Sequence, residues 1–330
     1  MKRKKSHDKP VSKKSKDKSA SNSSKSKSKK SNREFVPTEK MRLYGAAEIS
    51  KFVLERQRKL WGKYIRSGQL GMIYAPRGTG KTFFEIALAI ALSTGKKFLD
   101  IATGSKRRVI ILDAEMDLTA IRDRLLMIAD SLGVSLSDRL KIFTPDTFVG
   151  LMPALNTPEG QAIIDKVIGR DWEILFIDNY SAWSEGRETP ESWAPLLRWM
   201  LTHKRHGRTV VVIHHSGKNG EQRGTSKHED ALDFCISLKP SKSDIRDGSL
   251  SFGLEWKKAR HLASDEIAPF TVTMAEDKKG QMSWIRSEGI ALDPRLKTAI
   301  DMNAAGKTMQ QIANALDCDK STVSRMLKRK

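Results

Sequence analysis

The segment Ala75–Thr82 (Ala-Pro-Arg-Gly-Thr-Gly-Lys-Thr) has the composition of a loop that binds phosphate. An apolar run at 71–74 comes before it, and a run with helical spacing begins at Lys81, so we predict a strand, a glycine-rich turn and a helix. Glycine at 78 and 80 lets backbone N–H groups surround the phosphates. The residues of this predicted ATP-binding loop are Ala75, Pro76, Arg77, Gly78, Thr79, Gly80, Lys81 and Thr82.

Two residues of the loop and one distant acid predict a site for ATP and Mg²⁺. In a P-loop, the lysine (here Lys81) places its charge on the β- and γ-phosphates, and the hydroxyl of the next residue, Thr82, coordinates Mg²⁺. Asp178 ends a second apolar run, 174–177. An acid at the carboxyl end of a central strand would hold Mg²⁺ through water. The predicted metal residues are therefore Thr82 and Asp178.

Hydrolysis of ATP also needs a group that polarises the attacking water. The apolar run 109–112 ends in Asp113-Ala114-Glu115. Glu115 is our candidate for the catalytic base, and Asp113 is the competing residue. His214 and His215 end another apolar run, where a polar side chain could contact the γ-phosphate and report its state. A satisfied core histidine is the alternative for each.

A basic pair follows a late strand. Lys258 and Arg260 come after the run 250–256 and could reach the γ-phosphate of a neighbouring subunit, as an arginine finger supplied in trans. A solvated basic edge is the alternative interpretation. Both residues are candidate catalytic groups.

The elements that must position these residues form an α/β pattern. Continuous apolar runs alternate with helical stretches from about 69 to 213, which predicts a parallel sheet covered by helices on both faces. From about 233 only strands follow, and we expect an antiparallel extension of the same sheet. We also expect a helix within 46–61. The predicted domains are a disordered basic tail (1–33), a lead-in helix or linker (34–66), the ATPase core (67–288) and a helix-turn-helix (292–330).

The charge of the chain predicts a polyanionic partner. Lys and Arg number 60 against 39 Asp and Glu, a net charge of +21 over 330 residues. Residues 1–33 hold 14 basic and two acidic residues, so we expect this tail to be disordered. Three roles stay open for it: solubilising the chain, binding phosphates, and acting as a nuclear-import signal. No apolar run is long enough for a membrane span. Two cysteines exclude a disulfide framework and fit a reducing, cytoplasmic location.

The C-terminal segment 292–330 predicts two short helices joined by a tight turn, after one more helix near 294–304. Thr308 is the expected cap of the first, and Ser321 of the second. The second would be a recognition helix that binds duplex DNA, and a protein-docking module is the alternative. Its candidate DNA contacts are Lys320, Ser321, Thr322 and Arg325.

Together these motifs resemble the RecA-like hexameric replicative helicases, most closely the plasmid RepA type and more distantly the DnaB type, over residues 65–285. The resemblance is carried by Ala114-Glu115, Asp178, His214-His215 and Arg223-Gly224-Thr225-Ser226. The family implies that the Glu of Ala-Glu is the catalytic base. One position departs from the family, because Asp233 stands where the RepA type has its proposed finger arginine. The departure favours Arg260 as the finger.

The resemblance further implies a homo-hexameric ring with ATP between subunits and single-stranded DNA in a central channel. Lys218 and Arg223 suit a channel loop that follows a phosphate backbone. Tyr180 and Trp183 could stack on bases, although buried packing is the expectation for both. A primase or a replication initiator is a possible partner. Three functions stay open: a replicative helicase of a plasmid, phage or mobile element, a DNA-binding regulator or loader with a switch ATPase, and a RecA-like recombinase.

Overall fold

The computed structural model describes residues 33–34, 41–216, 227–241, 249–276, 281–289 and 294–328. The chain divides into two compact units, Met1–Arg56 and Gln57–Lys330. The described elements of the first unit are β1 (Arg33–Glu34), α1 (Ala46–Ile49) and β2 (Phe52–Val53). β1 and β2 pair in parallel.

The helix expected within 46–61 is wrong beyond its first turn. Helix α1 has only four residues and none of them is buried, so no packing sustains a longer helix. Further along, Leu60 and Trp61 lie instead in a hairpin of β3 (Lys59–Trp61) and β4 (Ile65–Arg66). Both side chains are buried in the core of the second unit, where Trp61 contacts Phe84 and Phe98. Burial of these large apolar side chains outweighs the local helical spacing.

The second unit is built on a nine-stranded sheet. Its parallel strands are β5 (Leu70–Ala75), β6 (Val109–Asp113), β7 (Leu140–Phe143), β8 (Ile174–Asp178), β9 (Thr209–His215) and β10 (Phe234–Pro240). The antiparallel strands are β11 (Leu250–Ala259), β12 (Phe270–Glu276) and β13 (Met282–Glu288). Across the sheet the order is β13, β12, β11, β10, β5, β9, β8, β6, β7. The predicted parallel sheet with an antiparallel extension is confirmed.

Helices cover both faces of the parallel strands. The helices are α2 (Lys81–Thr94), α3 (Leu118–Ser131), α4 (Pro158–Ile168) and α5 (Pro190–Arg205), followed by the single turn α6 (Lys227–Asp230). One apolar core lies between the sheet and α2 and α3, and a second lies between the sheet and α4 and α5. Alternate residues of each strand enter opposite cores, so the strands are apolar throughout, as the sequence predicted.

The starts of the helices are set by local capping. Asp117 accepts a hydrogen bond from the backbone N of Ala120 at the start of α3, and Thr189 forms a capping box with Ser192 at the start of α5. Each such cap satisfies a helical N–H group that otherwise lacks a partner. Helix α2 has no side-chain cap, and Gly80 at its N-terminus leaves its first N–H groups available to a ligand.

Three further helices close the chain: α7 (Pro294–Ala304), α8 (Met309–Ala315) and α9 (Lys320–Lys328). Thr308 caps α8 in a capping box with Gln311, as expected. Ser321 lies inside α9 rather than at its cap. A small apolar cluster of Ala299, Ile312, Ala313, Leu316 and Val323 joins the three helices. In the described ranges, no helix is long and apolar enough to cross a bilayer.

Candidate nucleotide-binding site

The glycine-rich loop connects the end of β5 to the start of α2, at the carboxyl edge of the parallel strands. Gly78 has φ of 75° and Gly80 has φ of 104°, a backbone region that other residues rarely adopt. A Cβ added at Gly80 would also lie 2.6 Å from Leu250 Cδ2, at the start of β11. The backbone angle therefore favours glycine at 80, and a larger residue would also require the Leu250 side chain to move.

Lys81 is buried at the first turn of α2. Its Nζ donates to the backbone O of Ala75 (3.2 Å) and of Pro76 (3.1 Å). Burial lowers the pKa of the Lys81 ammonium, while the charges of Asp178 and Glu115 oppose that shift. No carboxylate of the described residues is within ion-pairing distance of Nζ. A buried cation held by two carbonyl groups beside an open cavity suits an anionic ligand.

Thr82 and Asp178, the two predicted metal residues, are in contact. Thr82 Oγ1 donates to Asp178 Oδ2 over 3.1 Å. Asp178 ends β8 and pairs in register with Asp113 at the end of β6. Burial raises the pKa of Asp178 to about 6, and the charge of Asp113 adds to this shift. Burial also raises the pKa of Asp113, whose carboxylate accepts hydrogen bonds from two backbone N–H groups of the following turn.

A third carboxyl group lies beneath these two. Glu85 follows Thr82 by one turn of α2 and is completely buried. Its carboxyl group faces that of Asp178, and burial followed by the charge of Asp178 raises the pKa of Glu85 well above its usual range. Apart from the Asp178 carboxyl group, neither Glu85 oxygen has a hydrogen-bond partner among the described residues. Two carboxyl groups can share a hydrogen bond only when one of them carries a proton.

Glu115, the predicted base, belongs to a cluster of three polar side chains at the rim of the cavity. Its Oε1 accepts a hydrogen bond from Asn179 Nδ2 and lies 3.3 Å from His215 Nε2. Asn179 Nδ2 lies 3.1 Å from the same histidine nitrogen. Burial and then the charge of Lys81 lower the pKa of His215, and Glu115 opposes the shift. The ring therefore favours its neutral form at pH 7.

The two adjacent histidines occupy different environments. His215 lines the cavity, whereas His214 is buried on the opposite face of the sheet, 3.8 Å from Glu188 and beside the ring of Tyr180. Successive residues of a strand point to opposite faces, so only one of the pair can reach the phosphate side. The structure thus brings His215, and not His214, to the predicted catalytic residues.

The cavity has a volume of about 590 Å³ and is lined by five residues of the predicted loop. Three of its residues carried no signal in the sequence: Phe83, Arg124 and Leu250. The Arg124 guanidinium, on α3, lies 4.9 Å from the centre of the Phe83 ring, on α2. Asn179 was also missed, although its position directly after Asp178 was a usable signal. The lining residues are Arg77, Gly78, Gly80, Lys81, Thr82, Phe83, Glu115, Arg124, His215 and Leu250.

Lys258 and Arg260 lie at the opposite edge of the sheet. β11 runs antiparallel to β10, so its last residues lie beside the start of the parallel strands. Lys258 Nζ donates to the backbone O of Asp230 over 3.0 Å, and the Arg260 side chain donates to the same oxygen. Asp233, which occupies the family's finger position, instead accepts hydrogen bonds from Lys204 Nζ (2.6 Å) and the backbone N of Leu70 (2.8 Å). These residues do not join the cavity of their own chain.

The predicted DNA contacts are only partly described. Lys218 and Arg223 lie outside the described residues. On α9, Lys320, Ser321 and Arg325 are exposed, and Arg325 donates to the backbone O of Ser321 (3.2 Å) and to Thr322 Oγ1 (3.1 Å).

The two aromatic side chains after β8 pack inside the core. Tyr180 and Trp183 are buried, and Trp183 Nε1 donates to the backbone O of Leu112 over 3.1 Å. The packing interpretation is therefore correct for both.

The residues present fit a nucleotide with Mg²⁺. The glycine turn forms a cradle that a Cβ would obstruct, Lys81 supplies a buried positive charge, and Thr82 and Asp178 supply hard oxygen ligands of the type that Mg²⁺ prefers. Within the described ranges, no group of three or more His, Cys, Asp or Glu side chains is arranged to hold a metal ion by itself.

One family model matches the chain. The family model described as an AAA domain (AAA_25) matches residues 38–221, more than half of the chain. Among solved structures, the RadB recombinase is similar with a TM-score of 0.44 and 15% identity, covering 66% of this chain and 90% of that one. No curated protein matches the sequence. The predicted α/β class, a parallel sheet with an antiparallel extension and helices on both faces, is confirmed, and the chain belongs to the AAA domain family.

Proposed function

We propose that this protein is an ATP-hydrolysing DNA motor, a ring-forming helicase of the replicative type that moves on single-stranded DNA. One observation carries the ATPase part of the proposal. Lys81, Thr82, Glu115 and His215 line one cavity beside the glycine turn, and Thr82 contacts Asp178. The AAA domain match supports the same chemistry.

Each residue has a defined task in this proposal. The backbone N–H groups at the start of α2 and the Lys81 ammonium bind the β- and γ-phosphates. Thr82 and Asp178 hold Mg²⁺, which when bound neutralises charge that develops on the phosphates. Glu115 accepts a proton from the attacking water, and Asn179 and His215 fix its carboxylate. Phe83 and Arg124 offer a flat surface for the nucleoside.

The ATPase assignment is tested by Lys81→Ala. We expect turnover to fall at least about 10²-fold, because the variant loses the charge that stabilises the transferred phosphate. Turnover is measured by release of inorganic phosphate with and without single-stranded DNA. Lys96→Ala removes an exposed lysine beyond the other end of α2 and serves as the matched control. Normal turnover in Lys81→Ala would overturn the phosphate-site assignment.

For DNA, we propose two kinds of contact. Lys218 and Arg223 would follow single-stranded DNA in the channel of a homo-hexamer, and Lys320, Ser321, Thr322 and Arg325 of α9 would contact duplex DNA. The exposure of three of these four α9 residues supports the second contact. A primase or initiator remains the proposed protein partner, in a cytoplasmic setting.

Removal of residues 290–330 tests the duplex contact. We expect ATPase activity without DNA to be retained and affinity for an origin-like duplex to fall by about tenfold or more, since base and phosphate contacts are lost. Fluorescence anisotropy at fixed salt measures the change. Equal duplex affinity in the truncated chain would contradict the DNA-reading role of α9.

A switch ATPase in a DNA-binding regulator or loader is the second candidate, and the C-terminal helices favour it as much as they favour a helicase. Strand displacement on a forked duplex separates the two, because a switch would hydrolyse ATP without unwinding. Negative-stain microscopy separates both from a recombinase, which would form filaments rather than rings.

A further inference from the structure

Glu85 occupies a position where an apolar side chain would be expected. It lies on the face of α2 that packs against the sheet, between Phe84 and Ile86 in a helix whose other buried residues are mostly apolar. Its side chain is completely buried, and apart from the Asp178 carboxyl group neither of its oxygens has a hydrogen-bond partner among the described residues. A carboxyl group buried beside two others, Asp178 and Asp113, destabilises the fold unless it is neutral. Stability of the core therefore does not explain a carboxyl group here.

The surroundings of Glu85 point toward the metal side of the site. Its carboxyl group faces that of Asp178, which is itself buried and contacts Thr82. Asp113 lies on the neighbouring strand. Thr82 and Glu85 are one helical turn apart on α2, so the carboxyl group lies directly behind the two residues that would hold Mg²⁺.

We propose that Glu85 is a positioning residue for the metal site: its carboxyl group contacts Asp178 from behind and fixes the direction in which the Asp178 oxygens face Thr82 and Mg²⁺. This inference rests on the proposed function, since it assumes that the cavity binds a nucleotide with Mg²⁺. Groups that orient a metal ligand from behind typically change metal affinity by about 10–100-fold when they are removed.

The experiment compares Glu85→Leu, which removes the polar group, with Glu85→Gln, whose amide can still donate a hydrogen bond to Asp178. Two quantities are measured on the full-length chain. One is the thermal midpoint without nucleotide, and the other is the Mg²⁺ concentration that half-saturates binding of a fluorescent ADP analogue. Glu85→Met is a second apolar variant in case the branched side chain does not fit. Ser93→Ala, a buried polar change at the far end of α2, is the matched control.

We expect opposite effects on stability and on metal dependence. Glu85→Leu should keep or raise the thermal midpoint, because a carboxyl group buried beside two others is removed, while the half-saturating Mg²⁺ concentration rises about tenfold or more. Glu85→Gln should stay within about threefold of the wild type in Mg²⁺ dependence. ADP binding without Mg²⁺ should be unchanged in all variants.

Three results would overturn the inference. They are an unchanged Mg²⁺ dependence in both apolar variants, a loss of thermal stability that parallels the loss of Mg²⁺ affinity, and a Glu85→Gln variant as impaired as Glu85→Leu. If the wild-type chain shows no Mg²⁺-dependent nucleotide binding, the proposed function itself fails, and that outcome is distinct from these three.

Discussion

Glu115 shows what sequence spacing predicts for a single residue and what it leaves out. Its place after the apolar run 109–112 identified it as a candidate base, and the structure brings it to the cavity. The contact of Glu115 with Asn179 depends on how strands β6 and β8 lie side by side, and the contact of Asn179 with His215 depends on β8 and β9. Arg124 lines the same cavity from α3, through a contact that no local pattern encodes. Local motifs were therefore predictable, and contacts between distant elements were not.

Another single residue, His203, makes the stability of the fold depend on pH. It is buried near the end of α5 between the rings of Trp172 and Trp199, and Nε2 lies 3.2 Å from Asp165 Oδ1. Burial lowers the pKa of His203 to about 4, although Asp165 opposes the shift. In the unfolded chain the ordinary value is 6.5. Between pH 6.5 and 4 the unfolded state therefore binds a proton that the folded state does not.

From this sign we predict that the stability contributed by neutral His203 is fully present above pH 6.5 and is lost as the pH falls toward 4, by at most about 3 kcal/mol. Urea unfolding at pH 7, 5.5 and 4.5 should show a shallower pH dependence in His203→Gln than in the wild type. His206→Gln changes an exposed histidine in the next turn and controls for charge. Equal slopes in His203→Gln and the wild type would refute the assignment.

Among the elements, the strands and helices of the core were predicted well because each carries its own signal. Apolar runs of four or five residues identified β5, β6, β8 and β9, and all of them are buried throughout. The prediction of one helix within 46–61 was wrong because the apolar residues of this segment do not pack on one surface. Leu60 and Trp61 pack in the core of the second unit. The spacing of apolar residues predicts which face of an element is apolar, and it does not identify the surface against which that face packs.

The contact between the glycine turn and β11 gives a prediction at this scale. Gly80→Ala should destabilise the fold by about 1–3 kcal/mol and weaken nucleotide binding, because it combines an unfavourable φ with a clash against Leu250. Gly78 has a similar φ, but nothing lies near a Cβ added there, so Gly78→Ala should lower the free energy of unfolding only through its backbone angle. The double variant Gly80→Ala/Leu250→Ala should recover the packing part in thermal unfolding. No recovery would show that the backbone angle alone sets the cost.

For the whole molecule, the proposed ring requires that Arg260 act on the site of a neighbouring subunit. Glu115→Gln and Arg260→Ala should each abolish turnover when every subunit carries the change. When equal amounts of the two variants are mixed at random, half of the sites keep Glu115 and half of the neighbouring subunits keep Arg260. About one site in four therefore has both residues, and the mixture should recover about a quarter of wild-type activity. Phosphate release after subunit exchange measures this.

The mixing experiment has a clear negative outcome. If Arg260 serves only its own chain, the mixture stays inactive, because no subunit is intact in both residues. Arg170→Ala removes another exposed cation from the same edge of the sheet and should leave turnover unchanged.

Strand β11 connects two regions that are otherwise far apart. Its first residue, Leu250, fills the space above Gly80, and Lys258 and Arg260 lie at its other end. A ten-residue strand spans about 33 Å. β11 is paired with β12 over Leu250–Leu254 and with β10 over Phe252–Ala259, so hydrogen bonds support it from one end to the other. In the proposed ring, this strand would transmit a shift of the phosphate loop in one subunit to the cations that act on the next, and the hydrolysis cycle would acquire a direction around the ring.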